Sequence, residues 1–240
     1  MIRNYFRLYH RDATGAGAEM SDMDGPGSAL GDLQRELYFP THIYFRDFQD
    51  GAELNARIAP AILAWRDEHA DGIVRSNARR AGSWHSALDM NKRPEFDELT
   101  QRIQLTATEI FRDAGYDPAT TPRIDNMWAN INPPGGYNRS HIHPNSLWSG
   151  VYYVQSTDES GQIVFIDPRT EHLMTNARYD PSTQRDRAHW TEVFFKPLVG
   201  RLILFPSWLY HEVEANKAEG EGPEADRISV SFNIYQRRGD

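Results

Sequence analysis

Hydrophobic residues recur with two different periods along this chain, and the period changes near residue 120. Before that point, apolar residues return every three or four positions, which is the spacing of one face of an α-helix. After it, short runs alternate apolar and polar residues, which is the spacing of a strand whose two faces differ. The pattern therefore predicts helices in the first half and a β core over about residues 120–236.

Two amphipathic helices are predicted before the β core. The first spans residues 51–69, and Pro60 inside it predicts a kink or a break because proline lacks an amide hydrogen. The second follows Pro94 and ends near Gly115, a residue suited to the left-handed turn after a helix. The apolar stripes that we expect to pack on the core are Leu54, Ile58, Ile62 and Trp65 in the first helix, and Phe96, Leu99, Ile103, Ala107, Ile110 and Phe111 in the second.

Short strands separated by turn residues dominate the second half of the chain. A first, isolated strand is predicted earlier, at 38–45. The later strands are predicted at 126–132, 147–154, 162–166, 192–196, 200–205, 211–214 and 227–235. A long polar loop at 167–187 is the kind of segment that often carries function. So many short strands with turns between them indicate a sandwich or barrel of the jelly-roll kind.

The domain organisation follows from composition. Residues 1–36 are predicted to form a partly flexible N-terminal arm, because Gly, Ala, Ser and Asp dominate residues 13–32. Residues 37–240 are predicted to form a single domain. The polar stretch 76–86 fits a surface loop or a loop over the mouth of a site, and its His85 is not predicted to bind a metal.

The overall composition excludes several classes of function. The 240 residues are 39% hydrophobic and carry a net charge of −8 with no basic cluster, so nucleic acid is not an expected partner. Cysteine is absent, which excludes disulfides, thiolate metal sites and a cysteine nucleophile. No apolar run reaches the roughly 20 residues of a membrane span, and no signal-peptide pattern opens the chain. We expect a cytoplasmic protein without a membrane partner, and a homodimer is a hypothesis only.

Three histidines are the candidate metal ligands. His141 and His143 stand two positions apart, so on an extended strand their side chains point the same way. His211 follows a later hydrophobic run and a Pro-Ser-Trp turn. If the fold brings it alongside, the three imidazoles form one face of a metal site. The alternative is a set of surface or hydrogen-bonded histidines.

Arg227 opens the last predicted strand, and Ser229 points to the same face of that strand. An arginine that faces the inside of a barrel needs an anionic partner, because burying an unpaired charge is costly. The guanidinium group suits the two oxygens of a carboxylate. The residues therefore favour a carboxylate-bearing ligand.

Four motifs in this order resemble those of the 2-oxoglutarate/Fe(II)-dependent oxygenases, and in particular a group with the same motifs. They are His-x-His-Pro at 141–144, Ser-Gly-Val-Tyr-Tyr-Val at 149–154, Phe-Pro-Ser-Trp-Leu-x-His at 205–211 and Arg-Ile-Ser-x-Ser-Phe-Asn at 227–233. The resemblance covers about residues 120–235. It implies fold class α+β, with a double-stranded β-helix (jelly-roll or cupin-like) core braced by N-terminal helices.

The resemblance also implies roles for individual residues. His141 and His211 match the two histidines of the superfamily's iron site. Arg227 matches the basic residue that binds the distal carboxylate of 2-oxoglutarate, and Ser229 matches the hydroxyl two residues on. Further candidates for cosubstrate contacts, assigned from position alone, are Asn130 and either Tyr152 or Tyr153.

His143 departs from the superfamily pattern, which has Asp or Glu at this place. Three interpretations stay open. The site is a three-histidine Fe(II) centre that still uses 2-oxoglutarate, or a three-histidine cupin-type dioxygenase that does not. In the third, His143 does not bind, and its position is open to water, a halide or Asn145. The pair Arg227 and Ser229 favours the first interpretation.

The function implied is that of a dioxygenase with Fe(II) and 2-oxoglutarate, which hydroxylates an unidentified small molecule or peptide and releases succinate and CO₂. Candidate pocket walls are Trp84, Trp128, Trp148 and Trp208. A different class of function is a catalytically inactive jelly-roll domain that binds a ligand or a structural metal. In that case His211 is a core histidine, and Arg227 forms an internal ion pair, for example with Glu212.

Overall fold

The computed structural model describes residues 31–78, 81–174, 177–220 and 222–238. The chain divides after Pro40, shortly beyond the predicted end of the arm at residue 36. Residues 31–40 form no helix or strand and are exposed. Residues 1–30, which make up most of the predicted arm, lie outside the described residues.

The described residues from Thr41 onward contain ten strands and three α-helices, with the two long helices before most of the strands. In chain order they are β1 Tyr44–Asp47, α1 Gly51–Glu68, β2 Trp84–His85, α2 Asp97–Asp113, β3 Thr120–Asn132, β4 Asn138–His141, β5 Trp148–Gln155, β6 Ile163–Ile166, α3 Thr170–Leu173, β7 Glu192–Phe195, β8 Arg201–Pro206, β9 His211–Val213 and β10 Arg227–Arg238. Within the described chain, every helix is too short or too polar to cross a lipid bilayer.

The strands form two antiparallel sheets. The larger has the order β1-β8-β5-β10-β3-β2, and the smaller has the order β4-β9-β6-β7. Apolar side chains from both sheets meet in a common layer: Val151, Tyr153, Ile203 and Phe205 from the larger sheet, and Ile163 and Phe165 from the smaller one. The two sheets therefore face each other, and the predicted class α+β with a dominant antiparallel core is confirmed.

Helices α1 and α2 cover the outer face of the larger sheet. Their predicted apolar stripes are the buried faces, with Ile62 and Leu99 both fully buried. They pack against residues of β3, β5 and β10 in the largest hydrophobic cluster. Burial of each such aliphatic side chain stabilises the fold by roughly 1.5–3 kcal/mol, which holds the helices on the sheet.

Two local predictions need correction in part. Helix α1 runs through Pro60 without the break that was one of the two expected outcomes, because Pro60 lies on the exposed side, where water can bond the carbonyl that the proline leaves without a partner. The strand predicted at 38–45 begins only at Tyr44. Before it, Phe39 has a left-handed backbone (φ 58°) next to Pro40, which ends any extended run.

Two polar segments are more ordered than the sequence suggests. The long loop after β6 contains α3 and a short 3₁₀ turn at Arg187–His189. The segment before β10 is anchored by Asn216, whose Nδ2 donates to the carbonyl oxygens of Asn132 at 2.9 Å and Ala225 at 2.7 Å. This anchor delivers Arg227 to the start of β10, directly opposite Asn132 of β3.

Candidate metal and cosubstrate site

The three predicted histidine ligands come together between the two sheets. Strands β4 and β9 pair so that His141 lies directly opposite His211, which places both side chains on the same face. One ring nitrogen of each of His141, His143 and His211 lies within 4.8 Å of the others. This spacing is short enough for one metal ion to bind all three nitrogens.

His143 reaches the cluster by a different route from the one predicted. Strand β4 ends at His141, so the two histidines do not alternate along one strand. Instead, the amide of His143 donates to the carbonyl oxygen of Ser207 at 2.9 Å, next to the turn that precedes β9. This contact brings the His143 Nε2 to 3.3 Å from the His211 Nε2. Asn145, the alternative ligand, is exposed.

Backbone carbonyls orient two of the imidazoles. The His141 Nδ1 lies 2.6 Å from the carbonyl oxygen of Arg139, and the His211 Nδ1 lies 2.9 Å from that of Leu209. A carbonyl can only accept, so Nδ1 carries the hydrogen in both rings and Nε2 keeps its lone pair. Such outer contacts fix the tautomer of metal-binding histidines.

Burial keeps all three rings neutral. It lowers the pKa of His141, lowers that of His143 to about 4 with a further contribution from His141, and places that of His211 well below its usual range. Neutral imidazoles are the form that binds metals. The cluster is therefore prepared to bind a metal at neutral pH without first losing protons.

A column of parallel rings supports His143. On one side its ring stacks on Trp128, with centroids 5.7 Å apart and planes 23° apart. Trp128 in turn stacks on His85 at 5.4 Å and 7°. On the other side His143 stacks on His211 at 5.1 Å and 12°. His85, which the sequence did not predict to bind a metal, is the outer member of this stack.

Arg227 lines the same cavity as the histidines. Its side chain is 1% exposed, and its Nη1 donates to the carbonyl oxygens of Ser160 and Glu214. Its Nη2 is buried without a hydrogen-bond partner among the described residues. The alternative of an internal ion pair is not observed, because no described carboxylate lies within salt-bridge distance of Arg227.

Desolvation lowers the pKa of Arg227 to about 10, which still leaves the guanidinium charged at neutral pH. A buried, charged side chain with an unused donor is costly unless an anion binds it. The cavity therefore contains a permanent positive charge with one donor available to a ligand.

The remaining candidates divide between the two faces of the sheet. Ser229 and Asn130 line the cavity, and the Oδ1 of Asn130 is buried with no hydrogen-bond partner in the described part of the chain. Tyr153 also lines the cavity. Tyr152 does not: it projects towards α1, where its hydroxyl donates to the Oδ1 of Asn55 at 2.8 Å. The assignment of Tyr152 to the cosubstrate was wrong, because successive residues of β5 point to opposite faces.

Other side chains around the cavity were either missed or only partly predicted. Ser76 and Asn138 line it, and the Ser76 Oγ lies 3.4 Å from the His141 Nε2. No periodic signal in the sequence marks them. Of the four tryptophans proposed as walls, Trp128 lines the cavity, Trp84 and Trp148 belong to the core beneath the helices, and Trp208 is exposed.

The residues present fit Fe(II) and a dicarboxylate. Three neutral nitrogen ligands suit Fe(II), and the unpartnered Nη2 of Arg227 suits a carboxylate oxygen. The cavity is small, about 40 Å³, enough for a few water molecules. A ligand as large as 2-oxoglutarate therefore requires the surrounding side chains to move apart.

Comparison with known proteins agrees with this chemistry. Residues 126–233 match the model of a family described as "Putative 2OG-Fe(II) oxygenase". The match includes all three histidines, Arg227 and Ser229. The matched segment, just under half of the chain, is therefore similar to oxygenases described as using Fe(II) and 2-oxoglutarate.

Solved structures of the same kind share the fold at low identity. A prolyl-4-hydroxylase from Pseudomonas putida is 15% identical with a TM-score of 0.53, and the match covers 82% of this chain and 94% of that chain. SnoK, a non-heme alpha-ketoglutarate-dependent carbocyclase from nogalamycin biosynthesis, is 17% identical with a TM-score of 0.56, covering 81% and 79%. These likenesses show the double-stranded β-helix fold.

One curated relative is named for an activity other than oxygenation. It is a phenylalanine–tRNA ligase alpha subunit from Erythrobacter litoralis (strain HTCC2594), 27% identical over 139 residues. The match covers 52% of this chain and 36% of that protein, so the chain spans about a third of the relative's length. The ligase activity in that name is a statement about the relative alone.

Proposed function

We propose that this protein is a dioxygenase that binds Fe(II) through His141, His143 and His211, and that binds 2-oxoglutarate through Arg227 and Ser229. It hydroxylates a C–H bond of a small molecule or peptide. The observation that carries the proposal is the shared cavity: three imidazole nitrogens within 4.8 Å of one another, and a buried guanidinium with an unpartnered donor.

Each group has a defined part in this proposal. Fe(II) with 2-oxoglutarate and O₂ supplies the oxidation of an unactivated C–H bond, with succinate and CO₂ as coproducts. The backbone carbonyls of Arg139 and Leu209 hold two imidazoles in the tautomer that presents Nε2. Arg227 binds and orients the distal carboxylate of the cosubstrate.

The walls of the cavity limit its contact with bulk water. Val151 and Phe205 are buried between the sheets, beside His211, which is 3% exposed. In so buried a site, the attraction between Arg227 and a carboxylate is much stronger than in bulk water. The same burial explains why the cosubstrate, rather than solvent, is the natural partner of the unused Nη2.

The primary substrate is the least defined part. The similar structures are named a prolyl-4-hydroxylase and a carbocyclase. These two different activities belong to those proteins and do not indicate one substrate for this chain. Hydroxylation of a small molecule or peptide is our proposal because the cavity between the sheets suits a single inserted group rather than a large surface.

The test is turnover without a primary substrate. Purified protein supplied with Fe(II), ascorbate and 2-oxoglutarate is expected to release succinate slowly, and a chelator should stop the release. A matched sample of the His211→Ala variant, with its fold checked by circular dichroism, should release none. Iron bound at one equivalent without any succinate would contradict the use of 2-oxoglutarate.

A second candidate is favoured by one observation. His143 provides a third imidazole where the superfamily has a carboxylate, which is the ligand set of three-histidine dioxygenases that need no 2-oxoglutarate. Oxygen consumption that depends on iron but not on 2-oxoglutarate would support this candidate. Oxygen consumption that requires 2-oxoglutarate in equal amount would exclude it.

A further inference from the structure

The cavity around the histidines contains no acidic side chain among the described residues. Arg227 is the one charged side chain among the described lining residues, and an imidazole that binds a metal does so in its neutral form. The chain therefore supplies one positive charge and no negative charge to this buried space.

The nearest carboxylate compensates the charge of Arg227 only in part. Glu214 is close enough to act on Arg227 electrostatically, but the two form no ion pair, and its Oε2 accepts from the backbone amide of Gln162 at 3.0 Å. Burial raises the pKa of the Tyr153 hydroxyl far above its ordinary value, so this phenol stays neutral. The positive charge of Arg227 is left for ligands to balance.

Charge counting then distinguishes this site from one with two histidines and a carboxylate. With a carboxylate ligand, Fe(II), Arg227 and dianionic 2-oxoglutarate together are neutral. With His143 in place of the carboxylate, the same set retains one positive charge. A net charge in a low-dielectric cavity is costly, and a bound anion removes the cost.

We propose that this site binds a monoanion in addition to 2-oxoglutarate, an inference that rests on the proposed function. The anion is a halide or the carboxylate of the primary substrate, because either brings the single negative charge that the ligand set lacks. The hydroxyl groups of Ser76 and Ser231, which line the cavity, can donate hydrogen bonds to it. The proposal thus makes an anionic substrate, or a halide, part of the complete site.

The experiment measures anion binding rather than turnover. Protein is loaded with Co(II), whose visible absorption bands respond to a new ligand, and saturated with 2-oxoglutarate. Azide, chloride and acetate are then titrated in turn. The control is His143→Asp, which restores the carboxylate and removes the surplus charge, and His143→Glu serves if the first variant does not fold.

We expect the wild-type protein to bind azide with a dissociation constant at least about tenfold lower than that of His143→Asp. The carboxylate of the variant adds a negative charge that repels azide at short range. Binding of chloride as well indicates a halide as the natural anion. Binding of acetate but not chloride indicates a carboxylate of the substrate. Equal affinities in wild type and both variants, or no anion binding by wild type, would overturn the proposal.

The outcomes also separate this inference from the proposed function. Failure of the wild-type protein to bind Co(II) or 2-oxoglutarate would contradict the proposed function itself. Normal binding of both, without any anion effect, would contradict the anion site alone.

Discussion

The two faces of the larger sheet are built from the same strands but serve different purposes. On β10, Ile228, Val230 and Phe232 point towards the helices and are fully buried among apolar residues. The intervening Arg227 and Ser229 point into the cavity beside the histidines. Strand β5 divides in the same way, with Tyr152 in the helix-side core and Tyr153 in the cavity wall.

Along these strands, stability and chemistry are separated by single residue steps. The helix-side face excludes water through apolar packing, so changes there should alter the free energy of unfolding. The cavity face holds polar groups with unused donors or lone pairs, so changes there should alter ligand binding with smaller effects on stability. Adjacent residues of one strand are therefore matched pairs for testing the division.

The largest expected effect on stability is at Phe232. Phe232→Ala removes a fully buried ring from the core beneath the helices and should lower the free energy of unfolding by about 3–5 kcal/mol. Its neighbour Ser231 faces the cavity and accepts a hydrogen bond from the Nδ2 of Asn130 at 3.1 Å. Ser231→Ala should cost about 1 kcal/mol. Urea unfolding of the metal-free proteins measures both, and equal losses would refute the division.

The largest expected effect on metal binding is at His211. His211→Ala removes one of three nitrogen ligands and should weaken Fe(II) or Co(II) binding by roughly 100-fold or more, beyond the effect of losing an outer contact. The metal-free variant should also lose some stability, because the removed ring is buried, so affinities are compared at a temperature where both proteins are folded. His189→Ala, in the loop after β6, is the control and should bind metal normally. Retained affinity in His211→Ala would contradict the assignment.

The stacked rings should have an intermediate effect. Trp128→Leu removes the ring that supports His143 and should weaken Co(II) binding about tenfold, with a change in the visible Co(II) spectrum. Trp128→Phe should restore most of the affinity because it restores a stacking surface. Trp148→Leu alters the helix-side core instead and should leave the spectrum unchanged in the folded protein. Identical spectra for all three variants would show that the stack does not position His143.

The smallest expected effects come from the adjacent tyrosines. Tyr152→Phe loses the hydrogen bond to Asn55 and should lower the free energy of unfolding by about 1 kcal/mol without affecting 2-oxoglutarate binding. Tyr153→Phe should leave stability nearly unchanged and weaken 2-oxoglutarate binding by a few-fold, since its side chain lines the cavity. Unfolding curves and calorimetric titrations distinguish the two variants. Loss of 2-oxoglutarate affinity in Tyr152→Phe and loss of stability in Tyr153→Phe would contradict the assignment of the two faces of β5.

Sequence periodicity predicted the faces of β10 because that strand alternates apolar with polar residues. It could not do so for β5, which is apolar on both sides, and this is why Tyr152 was assigned to the cavity. It also could not place His143, which a contact with the distant Ser207 holds in the cluster after β4 has ended. Contacts between residues far apart in sequence have no periodic signal, and the same reason hid Ser76.

We propose that Arg227 binds 2-oxoglutarate beside the three-histidine metal site. The most direct test is a calorimetric titration of 2-oxoglutarate into Co(II)-loaded wild-type protein, Arg227→Met and Arg237→Met, an exposed arginine of the same strand paired with Asp125. We predict that Arg227→Met binds Co(II) normally but binds 2-oxoglutarate about 30-fold or more weakly, as expected for loss of a buried charge partner, while Arg237→Met matches wild type. Equal 2-oxoglutarate affinity in all three proteins would contradict the claim.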